Sequence, residues 1–260
     1  MAERQTDLTE SAGSDPAETP APAPEKRRKG TAPFLRDALI ILVVAVLASF
    51  LIKTFVVRSF YIPSASMENT LVKNDRILAN ELSPALMPLS HGDLVVFRDP
   101  GGWLSPQPAI QQPPLILALD WVLSLVGLSQ SDTNDHLIKR VIGLPGDHVS
   151  CCNALGQMTV NEIPLSEPYV KLPPGARKAS AIDFDVTVPD GYLWVMGDNR
   201  NNSRDSRYNT DKPGGGFVPI TNVVGRALVI SWPVNHWTWL DDYPSTFDGV
   251  DEHPRPRSSG

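Results

Sequence analysis

The hydrophobic and polar positions divide the chain into contrasting textures. Residues 1–33 are rich in Ala, Pro, Glu, Ser and Thr and hold almost no large apolar side chains. Such a segment buries too little surface to offset its ordering entropy, so disorder is expected over 1–33. The run ALIILVVAVLASFLI (38–52) then carries no charge, and extended to Val57 it contains one, Lys53. About twenty residues rising ~1.5 Å each reach ~30 Å, the thickness of a bilayer core. A single N-terminal transmembrane helix is therefore expected over 34–57, with Lys53 snorkelling to the far headgroups. A cleaved secretory leader would lie nearer the start and end in a small-residue cleavage site, whereas KTFVVRSFYIP follows this run.

Beyond the anchor the pattern changes to short β-branched and aromatic runs, each ending in Gly, Pro, Asn or Asp. Strands are predicted at 75–80, 93–99, 137–143, 157–163, 191–197 and 223–231. Residues 153–161 read as the turn and second strand of a hairpin. Many short strands with few helix signals predict a mostly β, antiparallel domain over 58–235. Residues 100–135 interrupt it as a variable insertion. Within that insertion LILALDWVLSLVGL (115–128) contains Asp120 and is too short for a second span. It is either a helix packed on the domain or an element in the membrane interface with Trp121 at headgroup depth. Residues 236–260 read as a flexible tail.

Charge changes the picture in two ways. The net charge of −6 argues against a partner bound through phosphates, so no nucleic acid is expected. Lys26, Arg27, Arg28, Lys29 and Arg36 precede the apolar run, against Lys53 and Arg58 at its far end. The excess of positive charge places the N-terminus in the cytoplasm and 58–260 outside. The two cysteines, Cys151 and Cys152, are adjacent, and no CxxC or HExxH spacing is present, so no metal site is expected. A disulfide between neighbours departs from the usual Cα separation, and free or reversibly oxidised thiols are the expectation.

Three runs hold candidate chemistry. YIPSASMENTL (61–71) offers Ser64 and Ser66 shortly after the anchor. A serine nucleophile needs a base and oxyanion donors. His91, His136, His148, His236 and His253 lie in no Asp/His/Ser context and read as solvated surface residues. In HLIKRVIGLPGD (136–147), strand alternation sets Lys139 on a face with Leu137 and Val141, and Arg140 on the other with Ile138 and Ile142. An amine flanked by apolar side chains is a candidate for desolvation, which lowers its pKa from ~10.4. The alternative is an edge-strand lysine with its ammonium in water. MGDNRNNSRDSRYN (196–209) has no apolar side chain between Gly197 and Arg207 and reads as a loop, either solvated or supporting a neighbouring site.

Together and in order, the anchor, PSASMENTL, GDLVVFRDP, IKRVIGLPGD and GDNRNNSRDSR resemble the bacterial type I signal peptidases, membrane-bound Ser/Lys proteases that remove signal peptides. The likeness runs from about residue 34 to 235, with gaps at 100–135 and 163–190. It implies a largely antiparallel β fold with an exposed apolar surface on the outer leaflet. It implies Ser66 as nucleophile and Lys139 as general base. Ser64, beside the Ser66 N–H, would complete the oxyanion hole. Ser203 would orient the Lys139 amine, Asp205 would support its loop by pairing with Arg207, and Asp198 would partner Arg140. Met67 would help shape small-residue pockets. It also implies substrates with small residues at −1 and −3, membrane lipid as a partner, action as a monomer in the plasma membrane, and no cofactor. Asn69 stands where this family often has proline, and Asn201 where aspartate is frequent. Two rival readings are a self-cleaving repressor-type Ser/Lys protease, which would lack the anchor, and a non-enzymatic anchored β-domain, which would not need Ser66, Lys139 and Ser203.

Overall fold

A computed structural model of the chain describes residues 36–47, 56–104 and 135–252. Residues 36–47 form a helix, α1, uninterrupted by Gly or Pro. Its apolar side chains, among them Leu39, Ile41 and Val46, are exposed, and a helix apolar on all sides is suited to an apolar surrounding. Among the described residues no helix is long and apolar enough to cross a membrane. Residues 48–55 of the expected anchor, the segment 1–33 and the run 115–128 lie outside the described residues.

The rest of the described residues are mostly in strands and the turns that join them. The strands are β1 Val57–Tyr61, β2 Arg76–Asn80, β3 Leu94–Arg98, β4 His136–Gly143, β5 His148–Cys151, β6 Met158–Val160, β7 Ile163–Pro164, β8 Phe184–Thr187, β9 Tyr192–Met196, β10 Val218–Pro219, β11 Val223–Trp232 and β12 Thr238–Trp239. One sheet runs β1-β2-β11-β3-β4-β9-β10, with β12 on β11, and a second runs β7-β6-β5-β8. Every strand-to-strand pairing is antiparallel. The mostly β, antiparallel architecture is the expected one, and each of the six predicted runs contains a strand.

β4 lies between β3 and β9, paired Val95↔Lys139 on one side and Arg140↔Met196 on the other. It is buried from Leu137 to Gly143, which explains its unbroken apolar texture apart from Lys139 and Arg140. Leu137 and Val141 join one core cluster with Val95, Phe97 and Trp103. Ile138 belongs to a second with Phe60, Ile62, Met67 and Leu71. Ile142 belongs to a third with Val149, Met158 and Trp194. A strand that feeds three clusters is held from all sides, and its lysine is carried into the interior with it.

The chain after residue 235 differs from expectation. Through Glu252 it is folded, with a 3-10 turn at Val234–His236, strand β12, and a second 3-10 turn at Pro244–Phe247. Phe247 and Val250 are buried in the core. The segment crosses Gly92 so closely that a Cβ there would lie 1.7 Å from the Asp242 carbonyl oxygen, and Gly92 has φ +84°. Phe247 and Val250 stand among Asp, Ser, Thr and Gly with no strand or helix periodicity, which is why the sequence reads as a tail.

Candidate active site

The turn after β1 presents Ser66. Ile62 N–H donates to the Asp75 carbonyl at 2.9 Å and Asn74 N–H to the Ile62 carbonyl at 2.9 Å, closing the base of the loop. Leu71 N–H donates to the Met67 carbonyl at 2.7 Å. Met67 and Leu71 are fully buried and fasten the loop to the core. Met67 is thus not on an open pocket surface, since it is fully buried in the core cluster that also holds Phe60 and Leu71. Asn69 takes φ 105°, a conformation closed to the proline common there in the family it resembles. Its amide donates to the Tyr169 carbonyl at 3.0 Å, so the departure replaces a rigid ring with a hydrogen-bonded turn.

Lys139 arrives from β4. Its Nζ donates to Ser66 Oγ at 2.8 Å and to the Ile138 carbonyl at 2.8 Å. The residue is 4% exposed. Burial pushes the amine down from 10.5 to about 8, against the opposing pull of the Asp205 and Asp198 carboxylates. Ser64 Oγ lies 3.2 Å from Ser66 Oγ. A hydroxyl, an amine depressed toward neutrality and a second hydroxyl therefore meet at one point, and this is the arrangement a nucleophile, its base and an oxyanion donor require.

The loop after β9 frames this point. Asn199 N–H donates to the Ser66 carbonyl at 3.0 Å, and its side-chain amide donates to the Ala65 carbonyl at 3.1 Å. Asp198 accepts from Arg140 Nε at 2.9 Å and Nη2 at 2.8 Å, and from Thr70 Oγ1 at 2.5 Å. Arg140 also donates to the Gly92 and Asp241 carbonyls at 2.7 and 3.0 Å. Its guanidinium lies over the rings of Tyr169 and Tyr243 at 4.1 and 5.2 Å. Asp205 accepts from Gly197 N–H at 3.0 Å and from Arg207 Nε and Nη2 at 2.9 and 2.8 Å. Both ion pairs are wholly buried, which is tolerable only because each is bidentate and further hydrogen-bonded.

Ser203 is buried next to Gly197 but makes no hydrogen bond, and the expected bond to the Lys139 amine is not formed. The amine's donors go instead to Ser66 and the Ile138 carbonyl. Gly197 explains the crowding. A Cβ there would lie 2.2 Å from Ser203 Oγ and 2.6 Å from the Ser66 carbonyl oxygen. Asn201 is exposed. Sequence reasoning missed Asn199, Thr70 and Tyr169. The first is one asparagine among several in a polar run, and no periodicity singles it out. It also misread His91, which is buried against Asp147 at 2.7 Å and stacks on Phe247. Cys151 and Cys152 are joined in a disulfide.

A family model described as signal peptidase, peptidase S26, matches residues 35–232. The chain belongs to that family. It is 39% identical over 243 residues to signal peptidase I of Mycobacterium tuberculosis H37Rv, covering 86% of this chain and 80% of that one. It is 37% identical over 253 residues to a probable signal peptidase I of Mycobacterium leprae, covering 85% and 86%. It is 34% identical over 237 residues to signal peptidase I of Leptolyngbya laminosa, covering 91% and 98%. A solved signal peptidase I from Enterococcus faecalis matches 53% of this chain and 95% of that one at 24% identity and TM-score 0.34, too distant a likeness to carry weight. The chain is accordingly a serine endopeptidase.

Proposed function

We propose that this peptidase is a membrane-anchored signal peptidase that cuts exported preproteins after small residues, with Ser66 as nucleophile and Lys139 as general base. The observation that carries the reading is the 2.8 Å contact between a buried amine titrating at about 8 and the Ser66 hydroxyl. Neutral Lys139 takes the Ser66 proton as Oγ attacks the scissile carbonyl, and the Ser66 N–H and Ser64 hydroxyl receive the oxyanion. Lys139 then protonates the leaving amine, and water enters to hydrolyse the acyl-enzyme. Ser203, buried and unpartnered beside Gly197, is assigned as acceptor for the lysine amine once substrate takes up the Ser66 hydroxyl. Asp198 with Arg140 and Asp205 with Arg207 hold the frame in which these groups meet.

Residues 34–57 are assigned to a single span with a cytoplasmic N-terminus, leaving the catalytic domain outside the plasma membrane. An apolar surface supports contact with lipid. Trp232, Val234, Trp237 and Trp239 are 56, 66, 68 and 73% exposed, and exposed tryptophan suits headgroup depth. His236 in the same stretch lies 3.0 Å from Asp75, the residue that closes the Ser66 loop. This contact between the apolar stretch and the base of the Ser66 loop supports the reading, since a cleavage site just beyond a signal peptide's apolar core would lie at the membrane surface.

The deciding assay is cleavage of a preprotein carrying an A-x-A site by the full chain in detergent, alongside Ser66→Ala and Lys139→Ala. Cleavage by the parent and none by either variant is expected. Near-parental activity of Lys139→Ala would show that the base is another group. An inactive parent would overturn the A-x-A substrate class.

A further inference from the structure

Cys151 and Cys152 take no part in the site above, and a disulfide between adjacent residues does little for stability, since it closes no intervening loop. Its surroundings point elsewhere. β5 and β8 pair with Cys151 opposite Phe184 and Ser150 opposite Asp185, and Cys152 and Asp183 are the residues just beyond the end of that ladder, one after β5 and one before β8. Residues facing one another across an antiparallel pair share a face of the sheet. Ser150 and Asp185 therefore lie on one side, while Cys151 is buried among the core residues Val149 and Met158 and its sulfur is bonded to that of the half-buried Cys152. The result is an open cavity of about 390 Å³ lined by Ser150, Cys151, Cys152, Asp183, Phe184 and Asp185. Both Sγ atoms and a carboxylate oxygen of Asp183 fall within 4.8 Å of one another.

Two soft sulfurs and a carboxylate facing an open cavity are the donor set of a borderline-soft cation. We propose that the reduced pair, with Asp183, is a binding site for a divalent cation of the zinc class, and that the disulfide keeps it closed. Three donors on a tetrahedron with Zn–S of ~2.3 Å and Zn–O of ~2.1 Å sit roughly 3.5–4 Å apart, so rotation of the freed thiols suffices, and water takes the fourth position. An external dithiol supplies two electrons and two protons. The Sγ–Sγ bond breaks, each sulfur becomes a thiol, and the reductant closes to its own disulfide. The cation then displaces both thiol protons to solvent. Asp183 is held by Lys178 at 2.8 and 2.9 Å, with both side chains largely exposed. Such a pair exchanges readily for a metal bond. Asp185 is already engaged by His148 at 2.6 Å and is not among the donors. The third ligand is distant in sequence, just before β8, which is why the cysteine spacing alone gives no sign of it.

The test uses the full chain in detergent, oxidised or reduced with a phosphine and freed of reductant under anaerobic conditions. Each form is titrated with Zn(II) against a chromophoric chelator, and with Cd(II) followed by thiolate-to-metal charge-transfer absorption. One equivalent taken up by the reduced protein, with the thiolate band, and none by the oxidised protein is expected. Asp183→Asn should weaken uptake at least tenfold, and Lys178→Ala, which frees the carboxylate without touching the sulfurs, should tighten it. Equal uptake by both redox forms, or none by the reduced form, overturns the proposal. Affinity unchanged in both Asp183→Asn and Lys178→Ala overturns it as well, since Asp183 would then be no ligand.

Discussion

A base that surrenders its charge on burial must leave the same ionisation in both rate and stability. Lys139 is buried and its amine titrates at about 8 instead of 10.5, chiefly through loss of hydration, with Asp205 and Asp198 acting the other way. Roughly a tenth of the amine is then neutral at about pH 7 and roughly nine-tenths at about pH 9, so kcat/KM should rise about tenfold between them. For stability, the folded chain releases this proton near 8 and the unfolded chain near 10.5. Between those values the unfolded state binds more protons, so stability grows with pH, and below 8 the full cost of the buried charge is felt. The span corresponds to roughly 3 kcal/mol. Lys139→Met removes the group while keeping an apolar stem of similar length. Urea unfolding of parent and variant in detergent, from about pH 7 to about pH 10.5, should show the variant's relative advantage shrinking by roughly 3 kcal/mol. Subtracting the two curves cancels groups common to both. A difference flat in pH, or an acidic limb of kcat/KM near 10 or near the ~6.5 of histidine, would refute the desolvated lysine.

Three further outcomes follow from the same geometry. Ser64→Ala should lower kcat by about 100- to 1000-fold with KM little changed, if its hydroxyl receives the oxyanion; a change confined to KM would reassign Ser64 to substrate binding. Gly197→Ala forces a Cβ to within 2.2 Å of Ser203 Oγ and 2.6 Å of the Ser66 carbonyl. It should cost about 1–3 kcal/mol in urea unfolding and about 100-fold in kcat through displacement of the nucleophile turn. Ending the chain after Leu240 removes buried Phe247 and Val250 and the Asp241 carbonyl that holds Arg140. The urea midpoint should fall by an amount equivalent to about 5 kcal/mol or more, and an unchanged midpoint would mark the segment as a passive tail.

Some of this structure is legible in the sequence because a local pattern encodes it, and the rest depends on contacts that no local pattern can hold. β9 declares itself through an unbroken apolar run between Gly191 and Gly197, and β4 through apolar residues on either side of Lys139 and Arg140 that end at Gly143, because both strands are buried. β7, β10 and β12 are two residues long and exist only because a neighbour is there to pair with. Lys139 stands out as a charge in a buried run, and Ser66 as a hydroxyl in a small-residue turn. Asp205 and Arg207 are two positions apart and can be read as a local pair. Asp198 and Arg140, 58 residues apart, could be joined only through resemblance to a family. Asn199, Tyr169 and the Phe247 strap required the fold itself. Ser203 shows the opposite limit: its burial follows from the loop's packing, yet the bond expected of its hydroxyl is absent.

The arrangement also shows how a buried lysine is kept useful. Left alone in an apolar strand, the amine would be pushed further down, and nothing would hold it toward a particular oxygen. The two carboxylates that pull its pKa back up, Asp205 and Asp198, are each already neutralised by a bidentate arginine. Their effect on the amine is therefore that of ion pairs fixed in orientation, not of free charges that could capture the lysine as a salt bridge. The same carboxylates anchor the loop: Asp205 holds the Gly197 N–H, and Asp198 holds Thr70 of the nucleophile turn. Under the proposed roles of Lys139 and Ser66, tuning the base and positioning the nucleophile are thus done by one set of contacts. A substitution in the 197–207 loop should consequently move the acidic limb of the rate and kcat together, whereas a change that only loosens substrate binding moves KM alone. That covariation, measured over several loop variants, separates a supporting frame from a loop that merely covers the site.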